Sequence, residues 1–296
     1  MFMPPPRLQV WILASRPKTL WAAVAPVIIG TAMAQADNVS HRLSALAALF
    51  GAVMIQIGTN FANDYFDYRK GTDTPDRIGP TRVTQAGLVK PGIMRRAIVI
   101  AFGLALLAGV YLVWRGGWPI VAVGLLSILF GILYTAGPFP LGYYGLGDIF
   151  VFVFFGVVAV CGTYFVQALT VSQETIIAGA APGFWSVAIL TVNNLRDIDN
   201  DRKGGKRTLA ARFGRTFARV EFVACVLAAC AIPAVLVAVT GEHPAVLCAS
   251  ATVLAAIPTL KTVLMRTDGP TLNAALAATG KLLLLYSVLF SIGWLV

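Results

Sequence analysis

Nine apolar runs divide this chain, each close to the ~20 residues that a helix needs to cross a hydrocarbon core. The expected helices span 18–35, 43–68, 93–114, 118–135, 146–168, 174–196, 216–240, 245–264 and 276–296. In lipid every backbone N–H and C=O must be satisfied without water, so runs of this length become helices packed on one another. Composition agrees: 58% of residues are hydrophobic and 12% charged, against roughly 25% charged in a soluble domain. The expected fold class is therefore all-α, a polytopic membrane protein of about nine transmembrane helices, read as one domain over 1–296. Residues 4–16 are expected to be a short interfacial segment, its start kept out of helix by Pro4, Pro5 and Pro6.

The net charge of +10 does not point to nucleic acid, because the basic residues sit in short loops between apolar runs. With the N-terminus placed inside, 20 of the 23 Lys and Arg residues fall on the cytoplasmic side. Only Arg42 and Arg115 fall in outside loops, and Lys281 lies within the last helix. This asymmetry predicts a cytoplasmic N-terminus in a plasma or inner membrane, and nine helices then put the C-terminus outside. Arg16-Pro17-Lys18 before a run ending Ala32-Met33-Ala34 imitates a signal peptide. The run is read as a retained helix, since Pro26 interrupts it and the charge pattern requires it. Cys161, Cys225, Cys230 and Cys248 lie in apolar runs without a C-x-x-C spacing and are read as small core residues. The two histidines, His41 and His243, lie in predicted loops, which argues against a histidine base.

Two polar faces break the apolar pattern. Asn60, Asn63, Asp64 and Asp67 are spaced i, i+3, i+4, i+7, on one face at the end of the second expected helix. Asn193, Asp197 and Asp201 are spaced i, i+4, i+8 at the end of the sixth. A carboxylate within a spanning helix costs about 2.5–3.5 kcal/mol on insertion scales, so such faces mark function. Clustered oxygen ligands suit a hard cation, and Mg²⁺ is typically held by one or two carboxylates together with phosphate oxygens and water. Arg69, Lys70, Arg77, Arg82, Lys203, Lys206 and Arg207 lie beside the two faces and could take the remaining phosphate charge. Together they describe a site for Mg²⁺ and a diphosphate. Solvated helix caps are the plain alternative for any single Asp, but they fit two such faces beside basic loops less well. No G-x-x-x-x-G-K-[ST] loop and no H-E-x-x-H helix occurs.

Asn63-Asp64-x-x-Asp67 and Asp197-x-x-x-Asp201 resemble the two aspartate-rich motifs of the UbiA superfamily of intramembrane aromatic prenyltransferases. The Arg16-Pro17 pair before the first helix, Tyr134 at the end of the fourth and the helix count also fit. The stretches 63–73, 137–147 and 193–201, the last followed by Lys206-Arg207-Thr208-Leu209-Ala210, are similar to the branch that prenylates 1,4-dihydroxy-2-naphthoate for menaquinone synthesis. The superfamily often has an acid four residues after Asp67; this chain has Gly71 there and Asp73 two further on. The branch also carries an acid after the 145–147 turn, here Asp148.

The resemblance implies two layers of helices around a central cavity, opening sideways to the lipid bilayer. It implies a polyprenyl diphosphate and 1,4-dihydroxy-2-naphthoate as substrates, and CO₂ and diphosphate as by-products. On it, Asn63, Asp67, Asp73, Asp197 and Asp201 are expected metal ligands, and Asp64, Asp67, Asp197 and Asp201 catalytic, with Asp64 orienting or deprotonating the phenol. Lys70, Arg77, Arg82, Lys206 and Arg207 are expected on the diphosphate. Arg16, Lys18, Asn60, Tyr134 and Asn193 are expected around the aromatic substrate, the two cations facing its carboxylate. Other acceptors within the superfamily, 4-hydroxybenzoate or homogentisate, and a transporter of an anionic lipid or metal remain alternatives. Reporters fused after residues 75 and 205 should read cytoplasmic and one after residue 242 external. Opposite sides for the first two would separate the motifs.

Overall fold

The computed structural model describes residues 6–71, 79 and 81–296, and among them all regular structure is helical. The order is α1 (Arg7–Ser15), α2 (Pro17–Ala36), α3 (Arg42–Lys70), α4 (Pro91–Gly116) and α5 (Trp118–Leu133). There follow α6 (Gly147–Ala168), α7 (Gln173–Lys203), α8 (Leu209–Thr240), α9 (Pro244–Met265) and α10 (Gly269–Leu295). The nine expected runs correspond to α2–α10. Eight of these are long and apolar enough to cross a membrane, while α5, at 16 residues, is shorter. The chain is a multi-pass membrane protein. Its outer surface agrees with that setting: Leu106, Leu107 and Val110 of α4 are exposed, as on a lipid-facing helix. Trp114 and Trp118 flank the α4–α5 turn at 80% and 75% exposure, where an interfacial aromatic belt sits.

The helix ends follow from local chemistry. Arg16 takes a left-handed conformation (φ 52°) that separates the short α1 from α2, which opens on Pro17. Ser172 and Thr175 form a reciprocal capping box at the start of α7. Asp268 caps α10, and hydrogen bonds from Thr271 hold its carboxyl below the usual carboxylate range. Gly71 (φ 68°) ends α3 as a left-handed C-cap.

Two helices outrun the bilayer, and this is what positions the site. α3 has 29 residues and α7 has 31, which at ~1.5 Å per residue is roughly 44 and 46 Å against a ~30 Å core. The sequence places the end of the sixth helix at 196, where charge begins, but α7 continues to Lys203. Packing against α8 and α10 carries the polar turns as helix beyond the apolar run. The last helix likewise starts at Gly269 rather than 276, on its aspartate cap. α8 starts at Leu209 but breaks at Gly214 (φ 88°), so the expected start at 216 marks the apolar limb beyond the kink.

Glycines let α6 and α7 meet backbone to backbone. A Cβ on Gly179 would stand 2.7 Å from the Val157 Cα, and one on Gly183 2.8 Å from the Phe152 carbonyl oxygen. Residues Val153–Val157 form a π-helical turn within α6 at this contact. Cys225 and Cys230 are buried as expected and all four cysteines are free; Cys248 differs, since the 3₁₀ opening of α9 turns it outward. Gly179→Val should lower thermal stability in detergent by about 1–3 kcal/mol through overpacking. Gly103→Ala, at a position open on that side, should leave the melting temperature unchanged.

Candidate active site

The ends of α3 and α7 come together with the 134–147 turn at one rim of the bundle. There they line a polar chamber of about 190 Å³. Six charged side chains line it among the described residues: Asp67, Asp197 and Asp201 against Arg16, Arg82 and Lys206. A second, apolar chamber of about 310 Å³ lies between α2, α3, α4, α5 and α6. The two share Ala22, Gln56, Asn63, Tyr134, Val151 and Phe155 in their walls, so they adjoin.

Asp67 is held by side chains from three segments. It is 1% exposed. Its Oδ2 accepts from the Arg82 guanidinium at 2.8 Å, its Oδ1 from the Tyr143 hydroxyl at 2.7 Å, and the Lys206 ammonium lies 3.5 Å away. The Tyr143 ring also carries Lys70 and Lys206 over it, at 4.8 and 4.7 Å from its centroid. The 134–147 turn therefore bridges the end of α3 and the loop after α7. It is fixed in place by the Arg207 N–H, which donates to the Tyr143 carbonyl at 2.7 Å, and by the Arg212 guanidinium on the Tyr144 carbonyl at 2.9 Å. At Gly145 (φ 77°) a Cβ would meet the Arg207 carbonyl at 2.9 Å, so this close approach needs glycine.

On α7, Asp197 receives the Arg196 guanidinium through two parallel bonds, Nε to Oδ1 at 2.8 Å and Nη2 to Oδ2 at 2.5 Å. Arg196 also donates to Asn193 at 2.8 Å and to Asn273 of α10 at 2.7 Å. Asn63 Oδ1 accepts from Thr135 at 2.9 Å. Asp201 lines the chamber, and its carbonyl accepts the Lys206 N–H at 2.8 Å.

The structure gathers Asn63, Asp67, Arg82, Asp197, Asp201, Lys206, Arg16, Tyr134 and Asn193 around the polar chamber. Asn60 lines the apolar one, donating to the Ser15 carbonyl at 2.9 Å. Four expected residues stand elsewhere. Asp64 faces the following loop, where both its oxygens accept backbone N–H groups, so it is not placed to touch a phenol. Lys18 is exposed and lines neither chamber. Lys70 is spent on the carbonyls of Thr135 (2.7 Å) and Gly137 (3.3 Å), and the Arg207 side chain is exposed outside the chamber. Asp73 and Arg77 lie outside the described residues. Sequence reasoning missed Arg196, Tyr143 and Asn273. The first sits beside Asp197 in the chain and the second lies in the 137–147 stretch, so both carried a local signal; Asn273 is recognisable only by contact.

Among the described residues no three His, Cys, Asp or Glu side chains form a metal cage on their own. The chamber instead offers scattered oxygen donors balanced by cations, next to an apolar cavity. Fold and site together define a membrane-embedded protein with a charged chamber adjoining an apolar one. The sequence profile of the UbiA prenyltransferase family matches residues 23–288, and the chain belongs to that family.

Relatives and solved structures sharpen the comparison. A 1,4-dihydroxy-2-naphthoate octaprenyltransferase of Escherichia coli (strain K12) is 44% identical over 227 residues, covering 75% of this chain and 73% of the relative. One of Mycobacterium leprae (strain TN) is 36% identical over 278 residues, covering 94% and 93%. The fold matches a UbiA homolog from Aeropyrum pernix K1 with a TM-score of 0.69 at 16% identity, over 93% of this chain and 96% of that one. It also matches a UbiA homolog from Archaeoglobus fulgidus bound to GPP and Mg²⁺, with a TM-score of 0.69 at 13% identity, over 97% and 99%.

Lys206→Gln should weaken binding of inorganic diphosphate with Mg²⁺ roughly tenfold or more, as loss of a charge-assisted contact does. Lys18→Gln should leave it unchanged. Calorimetry on the purified protein in detergent measures both.

Proposed function

We propose that this chain transfers a polyprenyl group from an all-trans polyprenyl diphosphate to 1,4-dihydroxy-2-naphthoate, releasing CO₂ and diphosphate, as a Mg²⁺-dependent enzyme. The chemistry takes place at the cytoplasmic rim of the membrane. The observation that carries this reading is the pair of adjoining chambers, one lined by acids and cations and one apolar. Such a pair suits a charged head joined to a hydrocarbon tail. The activity of the Escherichia coli relative supplies the acceptor.

The donor set fits Mg²⁺. Three carboxylates and three cations line the polar chamber, so a bound diphosphate adds negative charge that the side chains do not cover. A divalent cation covers it. Asn63, Asp67, Asp197 and Asp201 would hold it, and there it would supply Lewis-acid neutralisation of the leaving diphosphate.

The chain's own groups do the rest. Arg82 and Lys206 donate to the diphosphate oxygens from the side of Asp67. Arg196 holds Asp197 and Asn193 in register at the opposite wall. The allylic carbon lies at the join of the chambers, where Tyr134 and Phe155 supply aromatic rings for its positive charge. The apolar walls there keep water from it. Arg16 pairs with the naphthoate carboxylate, and Tyr134 and Asn193 offer hydrogen bonds to the ring hydroxyls. The ring carbon bearing the carboxylate bonds to the allylic carbon as its C–O bond to diphosphate breaks. The electron pair of the C–COO⁻ bond then returns to the ring as CO₂ leaves.

The test is an assay of purified protein with Mg²⁺ and a polyprenyl diphosphate, offering dihydroxynaphthoate and 4-hydroxybenzoate in parallel. Prenylated naphthoquinol with stoichiometric CO₂ is expected. Asp67→Ala and Asp201→Ala should each abolish transfer in protein that still inserts. Arg16→Gln should raise the KM for dihydroxynaphthoate selectively. Prenylation of 4-hydroxybenzoate alone, or wild-type turnover by either aspartate variant, would overturn the assignment.

A further inference from the structure

Asp64 and Asp67 lie one turn apart on α3, yet they serve different partners. Asp64 is 2% exposed and lines neither chamber. Its Oδ2 accepts the Val83 N–H at 3.0 Å and its Oδ1 accepts the Thr84 N–H at 3.0 Å. The preceding residue, Arg82, places its guanidinium on Asp67 at 2.8 Å. One turn of α3 thus grips three consecutive residues, two by backbone and one by side chain.

The gripped segment is itself a compact turn. The Ala86 N–H donates to the Arg82 carbonyl at 2.9 Å and the Leu88 N–H to the Val83 carbonyl at 2.9 Å. The Val83 side chain is fully buried, in a small cluster with Phe61, Val89 and Met94. A guanidinium on a free loop would lose several rotors' worth of entropy on reaching a phosphate; one whose backbone is already fixed loses less.

We propose that Asp64 is a positioning residue that acts on prenyl diphosphate through Arg82. By holding the Val83 and Thr84 amides it sets the Arg82 backbone so that the guanidinium reaches Asp67 and the bound head group. It contacts no reacting atom. This rests on the diphosphate reading of the polar chamber given above.

The experiment uses the full chain in detergent with Asp64→Asn, Arg82→Gln and the double variant. Asn keeps the shape but turns an N–H₂ toward one of the backbone donors. Asp64→Asn is expected to raise the KM for prenyl diphosphate about tenfold and leave that for the aromatic acid within about twofold. The double variant should be no worse than Arg82→Gln alone, because the first change acts through the second residue. Equal effects on both KM values, or losses that multiply in the double variant, would overturn the proposal. Hydrogen exchange of the 82–88 segment provides a readout independent of turnover. Slow exchange in wild type, faster by about tenfold or more in Asp64→Asn and unchanged in Arg82→Gln, is expected. An unprotected segment in wild type overturns the positioning role, whereas protection without any binding of inorganic diphosphate and Mg²⁺ overturns the reading of the chamber instead. Should Asp64→Asn fail to insert, the same comparisons apply to Asp64→Glu. Its longer arm shifts the turn but keeps both acceptors, so a smaller KM rise confined to prenyl diphosphate is expected and any other pattern counts against the proposal.

Discussion

Charge in an apolar bundle has to be matched locally, because withdrawing an unpaired ion from water costs several kcal/mol. Asp64, Asp67 and Asp197 are all buried at one rim, and each is matched by a different part of the chain. Asp64 takes two amides of the loop after α3, Asp67 takes Arg82, Tyr143 and Lys206, and Asp197 takes its neighbour Arg196. Satisfying these three carboxylates draws three connecting segments to the same rim: the loop around 82–84, the 134–147 turn and the loop after α7. The polar chamber is the space they enclose.

Helix length decides that this can happen at the membrane edge. α3 and α7 extend beyond the thickness of a hydrocarbon core, so their final turns carry Asn and Asp without burying them in lipid. Their inner turns remain apolar and line the walls of the second chamber or pack the core. α3 thus lines the charged chamber at one level and the apolar one at the next, while α7 lines the charged chamber and packs the core. Asn63 stands at the change, in the walls of both chambers.

The join between the chambers depends on α6. Its π-helical turn at Val153–Val157 adds a residue where α6 lies against Gly179 and Gly183 of α7. Val151, Phe154, Phe155 and Val158 of α6 all line the apolar chamber, and Val151 and Phe155 reach the polar one as well. A larger residue at Gly179 or Gly183 would push α6 away from α7 and shift those side chains with it. The packing of small residues remote from the acids therefore sets the shape of the join between the chambers.

Hydropathy and spacing alone determined the all-α membrane fold, the nine apolar runs, of which eight are long enough to span, and the two helix ends that carry oxygen donors. These are local properties: a run of apolar residues has one stable form in lipid, and i, i+3, i+4, i+7 spacing puts side chains on one face whatever surrounds them. Helix ends were less legible. Charge appears at residue 196, but packing against α8 and α10 carries α7 on to Lys203. Which residues of a face point where was not legible at all. Asp64 and Asp67 are equivalent by spacing, yet one is held by amides 19 and 20 positions along the chain and the other faces the chamber. Arg16 and Lys18 look alike as cations before a helix, yet the left-handed turn at Arg16 puts only that residue in the chamber wall. Tyr143 lies in the distinctive 137–147 stretch but nothing there names its partner, and Asn273 carries no local signal; both enter the site through contacts with α3 and α7 that exist only once the chain has folded. Spacing fixes the face of a helix; only tertiary contacts decide what each side chain on that face meets.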